Sequence, residues 1–367
     1  MNEDDLIYTL ALQHVPRIGD IMAKKLIAKC GSAKAVLKEK KENLYKIEGI
    51  GKLTLKGLFD SLHLKAAEEE LKFIKDQNIQ VSYFQDDDYP ARLKHCIDSP
   101  ILIFQVGQIN LLERPIISIV GTRNVTSYGV TFCENLIAQL EAYDPIIVSG
   151  FAYGIDITAH KSAIKHGLQT IACLAHGLNQ IYPKTHKKYM SQVEHNGGFL
   201  TDFWSTDTFD RNNFLKRNRI IAGISQATIV IESAEKGGSL VTADIANSYN
   251  RDVFAVPGRA TDPLSVGCNN LIKTQQAHLL SHPLDVPYIL NWELERKVPK
   301  AHQKELFQDL SEEEQRIYDY LKSHNKQILD VIAIECQIPS YKLAGILLNM
   351  ELKELIRPLP GKQFELV

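Results

Sequence analysis

The pattern of apolar and polar positions changes twice along the chain. Residues 1–78 read as short helices rich in Lys, Leu and Ala, interrupted by two similar turns, HVPRIGDIMAKKLI and YKIEGIGKLTLKGL. From about Gln80 to Leu280, short β-branched runs alternate with helical stretches. The runs predict strands at Val81–Phe84, Ile101–Val106, Ile116–Val120, Ile146–Ser149, Thr170–Leu174, Phe199–Asp202, Thr228–Ile231 and Val253–Val256. Helices are predicted over Tyr128–Ala142, Ile155–His166, His186–His195, Lys216–Ile224 and Ser239–Asn250. A charged stretch with Pro283, Pro287 and Pro299 then reads as a linker.

Unbroken apolar strands separated by helices imply a mainly parallel sheet covered on both faces. Such a sheet takes its ligand at the carboxyl ends of the strands. Beyond the linker, Ser311 followed by three glutamates marks a helix start. Three helical stretches follow, and with a pair of short strands around Pro360-Gly361 they suit a winged helix. The expected organisation is a helical domain over 1–78, an α/β core over 79–285, a linker over 286–310 and a winged helix over 311–367.

The 367 residues are 44% hydrophobic and 23% charged, enough for more than one core. Six cysteines stand singly, without CxxC pairs, which fits reduced thiols and no metal cofactor. The acidic start lacks the features of a secretory signal, and no apolar run is long enough to span a bilayer, so a cytoplasmic location is expected. A net charge of −2 gives the whole molecule no cationic footprint. Any nucleic-acid site must therefore be local.

Four segments carry candidate chemistry. The strand ending at Val120 runs into Gly121, Arg123, Ser127, Tyr128 and Gly129, a tight turn leading to a helix N-terminus that attracts anions. The next strand exit repeats the device with Ser149, Gly150, Gly154 and Asp156. A third segment, Phe214, Lys216, Arg217, Asn218 and Arg219, is the densest cationic stretch of the core and suits a groove that tracks a polynucleotide backbone. The fourth places Glu232, Gly238, Ser239 and Thr242 at another strand exit. None has P-loop or GxGxxG spacing. Ser149, Asp156 and His160 suggest a hydrolase triad only superficially, because His160 lies four residues after Asp156, the spacing of a helix-face pair.

Near the N-terminus, Gly49-Ile50-Gly51 resembles the helix-hairpin-helix element that brings backbone N–H groups to a phosphate. In the first copy Arg17 stands where the leading glycine would sit. A helical packing or protein-contact module fits these residues equally well.

Taken together, the strings SIVGTRNVTSYG, IVSGFAYGIDITAHKSAI, GLNQIYPKTHKKY, FLKRNRIIAGIS, IESAEKGGSLVTADIA, RDVFAVPGR and GCNNLIKTQQA resemble the core of the bacterial DNA-processing protein A family (DprA, or Smf). That resemblance implies an extended Rossmann-like fold, single-stranded DNA binding, a homodimer, and loading of the recombinase RecA on incoming DNA during natural transformation. It also implies that the glycines, serines and cations named above form a phosphate pocket, supported by Asp156, Phe214, Glu232 and Thr242. The N-terminal part is similar to the family's SAM-like extension and the C-terminal part to its winged helix. Three places depart from the family pattern: Ala175-His176 replaces a glycine-containing pair, Thr201-Asp202 a Ser-Glu pair, and Gly237 a serine.

Two other functions compete. The fold implied is shared with phosphoribohydrolases that carry a PGGxGTxxE motif, and Gly237-Gly238-Ser239 is reminiscent of it. Thr242, however, stands where the catalytic carboxylate belongs, so glycosidic hydrolysis is disfavoured. A small-molecule module with no nucleic-acid partner is the other alternative. In the C-terminal part, Ser340–Leu352 holds few cations for a DNA-reading helix, which favours protein contact.

Overall fold

The computed structural model describes residues 1–111, 114–293, 310–353, 355–359 and 362–366. They fall into two compact units, one running through Glu295 and the other from Arg296 to Val367.

The first unit is built on a nine-stranded sheet. Its strands are β1 (Gln80–Tyr83), β2 (Leu102–Gly107), β3 (Ile116–Gly121), β4 (Ile146–Ser149), β5 (Thr170–Cys173), β6 (Gly197–Thr201), β7 (Ala227–Ile231), β8 (Asp252–Ala255) and β9 (His278–Leu279). They lie in the order β1-β2-β6-β5-β4-β3-β7-β8-β9. From β6 across to β9 every pairing is parallel. Only β1–β2 and β2–β6 are antiparallel. The eight strands predicted from the apolar runs all form, each within two residues of its expected ends. The short β9 and the helix Val266–Lys273 were not legible as periodic runs.

Alternate residues of the parallel strands feed two cores. On one face Ile116, Val120, Val148, Ile171 and Val230 pack beneath Ile220, Ile221 and Ile224 of the helix Asn212–Ile224 and Ala243 and Ala246 of the helix Gly238–Ser248. On the other, Ile117, Ile119, Ile147 and Ile229 pack against Cys133, Leu136 and Ile137 of the helix Ser127–Leu140 and Ala159 of the helix Ile155–Lys165. The result is a helix–sheet–helix sandwich, and its apolar strands are those a doubly covered parallel sheet requires. The one polar residue within β3, Ser118, is satisfied by donating 2.6 Å to the Ile221 carbonyl.

The order of the strands fixes where a ligand can enter. The chain leaves β3 toward β4, β5 and β6 on one side, whereas β7 continues to β8 and β9 on the other. The loops after adjacent strands β3 and β7 therefore diverge, opening a crevice at the carboxyl edge.

The N-terminal helices pack with this unit. Leu10, Leu26, Leu44, Leu58 and Leu71 share one core with Tyr83, Leu102, Phe104 and Trp204. The two copies share one left-handed position: Arg17 has φ 70° and Gly49 φ 81°, each followed by a buried isoleucine, Ile18 and Ile50. The helix expected directly after the second copy is absent. Residues 52–59 form turns and the next helix begins at Leu62, whereas the first copy leads straight into Asp20–Cys30. The linker expected from residue 286 is also corrected, since Asp285–Ile289 is helical and buried Val286 packs on the core with Leu290 and Trp292. Residues 294–309 of that segment lie outside the described residues.

The second unit has helices Glu312–His324, Leu329–Glu335 and Ser340–Leu352 and a small sheet in the order β10 (Gln327–Ile328), β12 (Gln363–Leu366), β11 (Ile356–Leu359). Pro360 and Gly361, the expected turn, lie outside the described residues. Ser311 caps the first helix with Glu314 in a reciprocal box, and Lys353 Nζ sits 2.7 Å from Glu314 Oε1.

The Lys353 contact and the Ser311 N–H hold the Glu314 carboxyl below its ordinary value of 4.5. A depressed folded pKa contributes stability above the ordinary value and loses it as pH falls through the folded one. Acid unfolding of the winged unit should thus steepen below about pH 4.5, and Glu314→Gln should flatten it. Ser311→Ala should cost about 1 kcal/mol in a urea melt at neutral pH.

Candidate functional site

A cavity of about 730 Å³ occupies the crevice between the loops after β3 and β7. Its walls are the first turn after β3, the starts of helices Asn212–Ile224 and Gly238–Ser248, and two loops carrying Tyr182 and Phe209.

Glu232 fastens the two diverging loops together. It is buried at the end of β7 with φ 52°, a left-handed conformation uncommon for this residue type. Its carbonyl accepts from Thr122 N–H at 2.8 Å, and its carboxylate accepts from Thr126 N–H at 2.9 Å and from the Thr126 hydroxyl. Thr126 in turn caps the Ser127–Leu140 helix through Gly129 N–H. The neighbouring glycine is needed to let Glu232 in, because a Cβ on Gly129 would lie 2.4 Å from the carboxylate.

Arg217 performs the equivalent task at the exits of β4 and β5. Its buried guanidinium donates to the Gly150 carbonyl at 2.7 Å and to the Cys173 carbonyl. Asp156 lies alongside, accepting from Gly150 N–H at 3.1 Å and Ala152 N–H at 3.4 Å. Burial pushes the Asp156 carboxyl up, opposed mainly by Arg217. Gly150 leaves room for the guanidinium, which would sit 2.6 Å from a Cβ there. Gly154, with φ 76°, caps the Ile155–Lys165 helix where a Cβ would meet the Thr122 carbonyl at 2.1 Å.

The structure brings together Gly121, Arg123, Asp156, Phe214, Arg217, Asn218, Gly238, Ser239 and Thr242 as cavity walls. Ser239 donates 2.9 Å to Ser233, and the Asn218 amide approaches the Gly238 carbonyl at 3.5 Å. Arg123 lies over the Phe214 ring at 5.3 Å. Gly129, Ser149, Gly150, Gly154 and Glu232 stand behind the walls instead, and Ser127 and Tyr128 are exposed outside the cavity. Ser149 donates to the Ile119 carbonyl, and Tyr128 to the Pro257 carbonyl at 3.0 Å.

Two expected cations are placed elsewhere. Lys216 is exposed outside the cavity wall. Arg219 turns to the N-terminal helices, bonding Asp202, Asp20 at 3.0 Å and the Asp98 carbonyl. The cause is helical period: with the helix starting at Asn212, residues 214, 215, 217, 218 and 221 lie on the cavity side, and 216 and 219 fall off it. Two lining cations were missed in the sequence, Arg211 at the start of this helix and Lys236 in the loop after β7. Four cations thus line the cavity, against one carboxylate, Asp156.

The superficial triad does not assemble. Ser149 is bonded to Ile119, Asp156 to backbone N–H groups, and His160 Nδ1 to Thr170 Oγ1 at 2.7 Å. Burial pushes the His160 imidazole down to about 3, so it stays neutral. The departure at His176 is absorbed inside the fold, where the buried ring bonds the Gly177 carbonyl. Among the described residues, no cluster of His, Cys, Asp and Glu could hold a metal, and no single helix is long and apolar enough to cross a membrane.

An open α/β sheet with an arginine-lined crevice at its switch point defines a Rossmann-like protein with a cation-lined cavity. The sequence match makes this specific. Residues 80–291 match the family model for DNA recombination-mediator protein A, and residues 301–362 the DprA winged helix domain. The chain belongs to the DNA recombination-mediator protein A family, the DprA/Smf proteins. Among its relatives, the DNA processing protein DprA of Streptococcus pneumoniae is 38% identical over 55% of this chain and 71% of its own length. The protein Smf of Escherichia coli is 32% identical over 83% and 82%. The X-ray structure of the Streptococcus pneumoniae protein superposes with a TM-score of 0.66 at 30% identity, covering 80% of this chain and 99% of that one. DNA processing protein A from Helicobacter pylori, for which a single-stranded DNA binding mode is described, gives 0.53 at 28% identity over 58% and 98%.

Arg219→Ala would leave buried Asp202 without its counter-ion. It should cost about 3 kcal/mol in urea unfolding, whereas Lys216→Ala should leave the midpoint unchanged.

Proposed function

We propose that this chain binds single-stranded DNA in the switch-point cavity and acts as a non-catalytic mediator of recombination. The observation that carries this is charge placement. A molecule with net charge −2 concentrates Arg123, Arg211, Arg217 and Lys236 around one cavity at the N-terminus of the Gly238–Ser248 helix. Side-chain cations and a helix N-terminus together attract phosphate. The Helicobacter pylori relative's single-stranded DNA binding supports the same ligand here.

The finer parts of the proposal come from family membership. They are loading of RecA on incoming DNA during natural transformation, action as a homodimer, and a cytoplasmic location. The helical part over 1–78 and the winged helix over 311–367 are proposed as auxiliary domains flanking the 79–285 core. The winged helix suits protein contact better than DNA reading. Lys342 is paired with Glu313 at 2.6 Å and Lys353 with Glu314, while Tyr341 and Leu348 on the same helix are exposed.

Nucleotide hydrolysis finds little support in the site. The cavity's carboxylate, Asp156, is buried and bonded to two backbone N–H groups, and the Thr242 hydroxyl does not ionise near neutral pH and cannot replace a catalytic carboxylate.

Each phosphate contact contributes about 0.7 to the slope of log affinity against log salt for single strands. Arg123→Ala and Arg211→Ala should each lower the slope by about that amount with a labelled oligo-dT, and Lys216→Ala should leave it within error. Parent-like slopes for both arginine variants would refute the pocket.

A further inference from the structure

The cavity has an aromatic side that phosphate binding leaves unexplained. Tyr182, Phe209 and Phe214 form a triangle, with ring centroids 4.9 Å apart for Tyr182–Phe209, 5.5 Å for Tyr182–Phe214 and 5.7 Å for Phe209–Phe214. All three line the same cavity as Arg123 and Arg211. Phe214 is covered by Arg123. Tyr182 and Phe209 are open to solvent, 37% and 48% exposed, unlike the buried ring cluster of Phe151 and Phe199 nearby in the sheet. The two rings come from separate loops, after β5 and after β6, and those loops are braced together. Asn179 donates to the Ser205 carbonyl at 2.9 Å, and Gln180 to the Asp207 carbonyl at 2.8 Å. Exposed rings on a fixed support beside cations are what a stacked base requires, since every base has a π-face and its phosphate needs charge within reach.

We propose that Tyr182 and Phe209 form a stacking platform for one unpaired nucleobase of the strand whose phosphates lie on Arg123 and Arg211. This rests on the single-stranded DNA reading above and adds the element that selects against duplex. A paired base is already stacked on its neighbours and cannot reach the rings without being extruded. Stacking is indifferent to base identity, so the platform favours single strands without reading sequence.

The test compares the full chain's binding to oligo-dT with its binding to an oligomer of abasic sites with the same number of phosphates. The parent should prefer oligo-dT by roughly ten-fold. In the Tyr182→Leu/Phe209→Leu double variant, affinity for oligo-dT should fall to the abasic level, with the salt slope unchanged. Tyr182→Phe should keep the preference. Equal parent affinity for the two oligomers overturns the platform while leaving phosphate binding intact, and holds even if the double variant fails to fold. Discrimination retained by a folded double variant overturns it as well. A parent that binds neither oligomer removes the DNA reading, and the platform with it.

Discussion

The crevice depends on one buried guanidinium. Arg217 sits where β4 and β5 end, bonding a carbonyl from each exit with Asp156 beside it. A charge in that position is costly to bury unless its donors are satisfied. The surrounding sequence meets that demand in part: Gly150 provides space, Asp156 a neighbouring negative charge, and the strand ends two acceptors for one terminal nitrogen, while the buried Nε has no hydrogen-bond partner. Glu232 repeats this logic with opposite sign one strand pair away, tying the β3 loop to β7. The open lip of the cavity is held by two internal ionic anchors, so its cations are presented by a stiff frame.

That division of labour explains why the fold was more legible in the sequence than the site. Strands such as Ile116–Gly121 and Ala227–Ile231 are unbroken apolar runs, and burial on both faces leaves little else for them to be. The loops were found because glycine and serine at strand exits are conspicuous. Composition alone could not separate residues that line the cavity, such as Gly121, from those that brace it, such as Gly129 and Ser149. Arg217 and Arg219 look alike in the sequence, but one forms part of the cavity floor and the other holds Asp20 and Asp202. Locating the helix start at Asn212 was the missing information, since it sets which residues of the cationic run share a face.

Arg219 also has a structural consequence. The helix that supplies Arg217 and Asn218 to the cavity is fastened on its other side to the N-terminal helices and to Asp202. The N-terminal helices therefore support the cavity wall through packing as well as charge, sharing a core with Trp204 at the foot of the Phe209 loop. Their two turns share a left-handed position although an arginine fills it in one and a glycine in the other, Arg17 and Gly49.

Amide hydrogen exchange with and without oligo-dT tests the central claim most directly, because it reports on backbone groups and needs no substitution. Protection on binding is expected at residues 121–124 and 236–239, the segments after β3 and β7 that line the cavity. Protection confined to the N-terminal helices or the winged helix, with those two loops exchanging as in the free protein, would contradict the account.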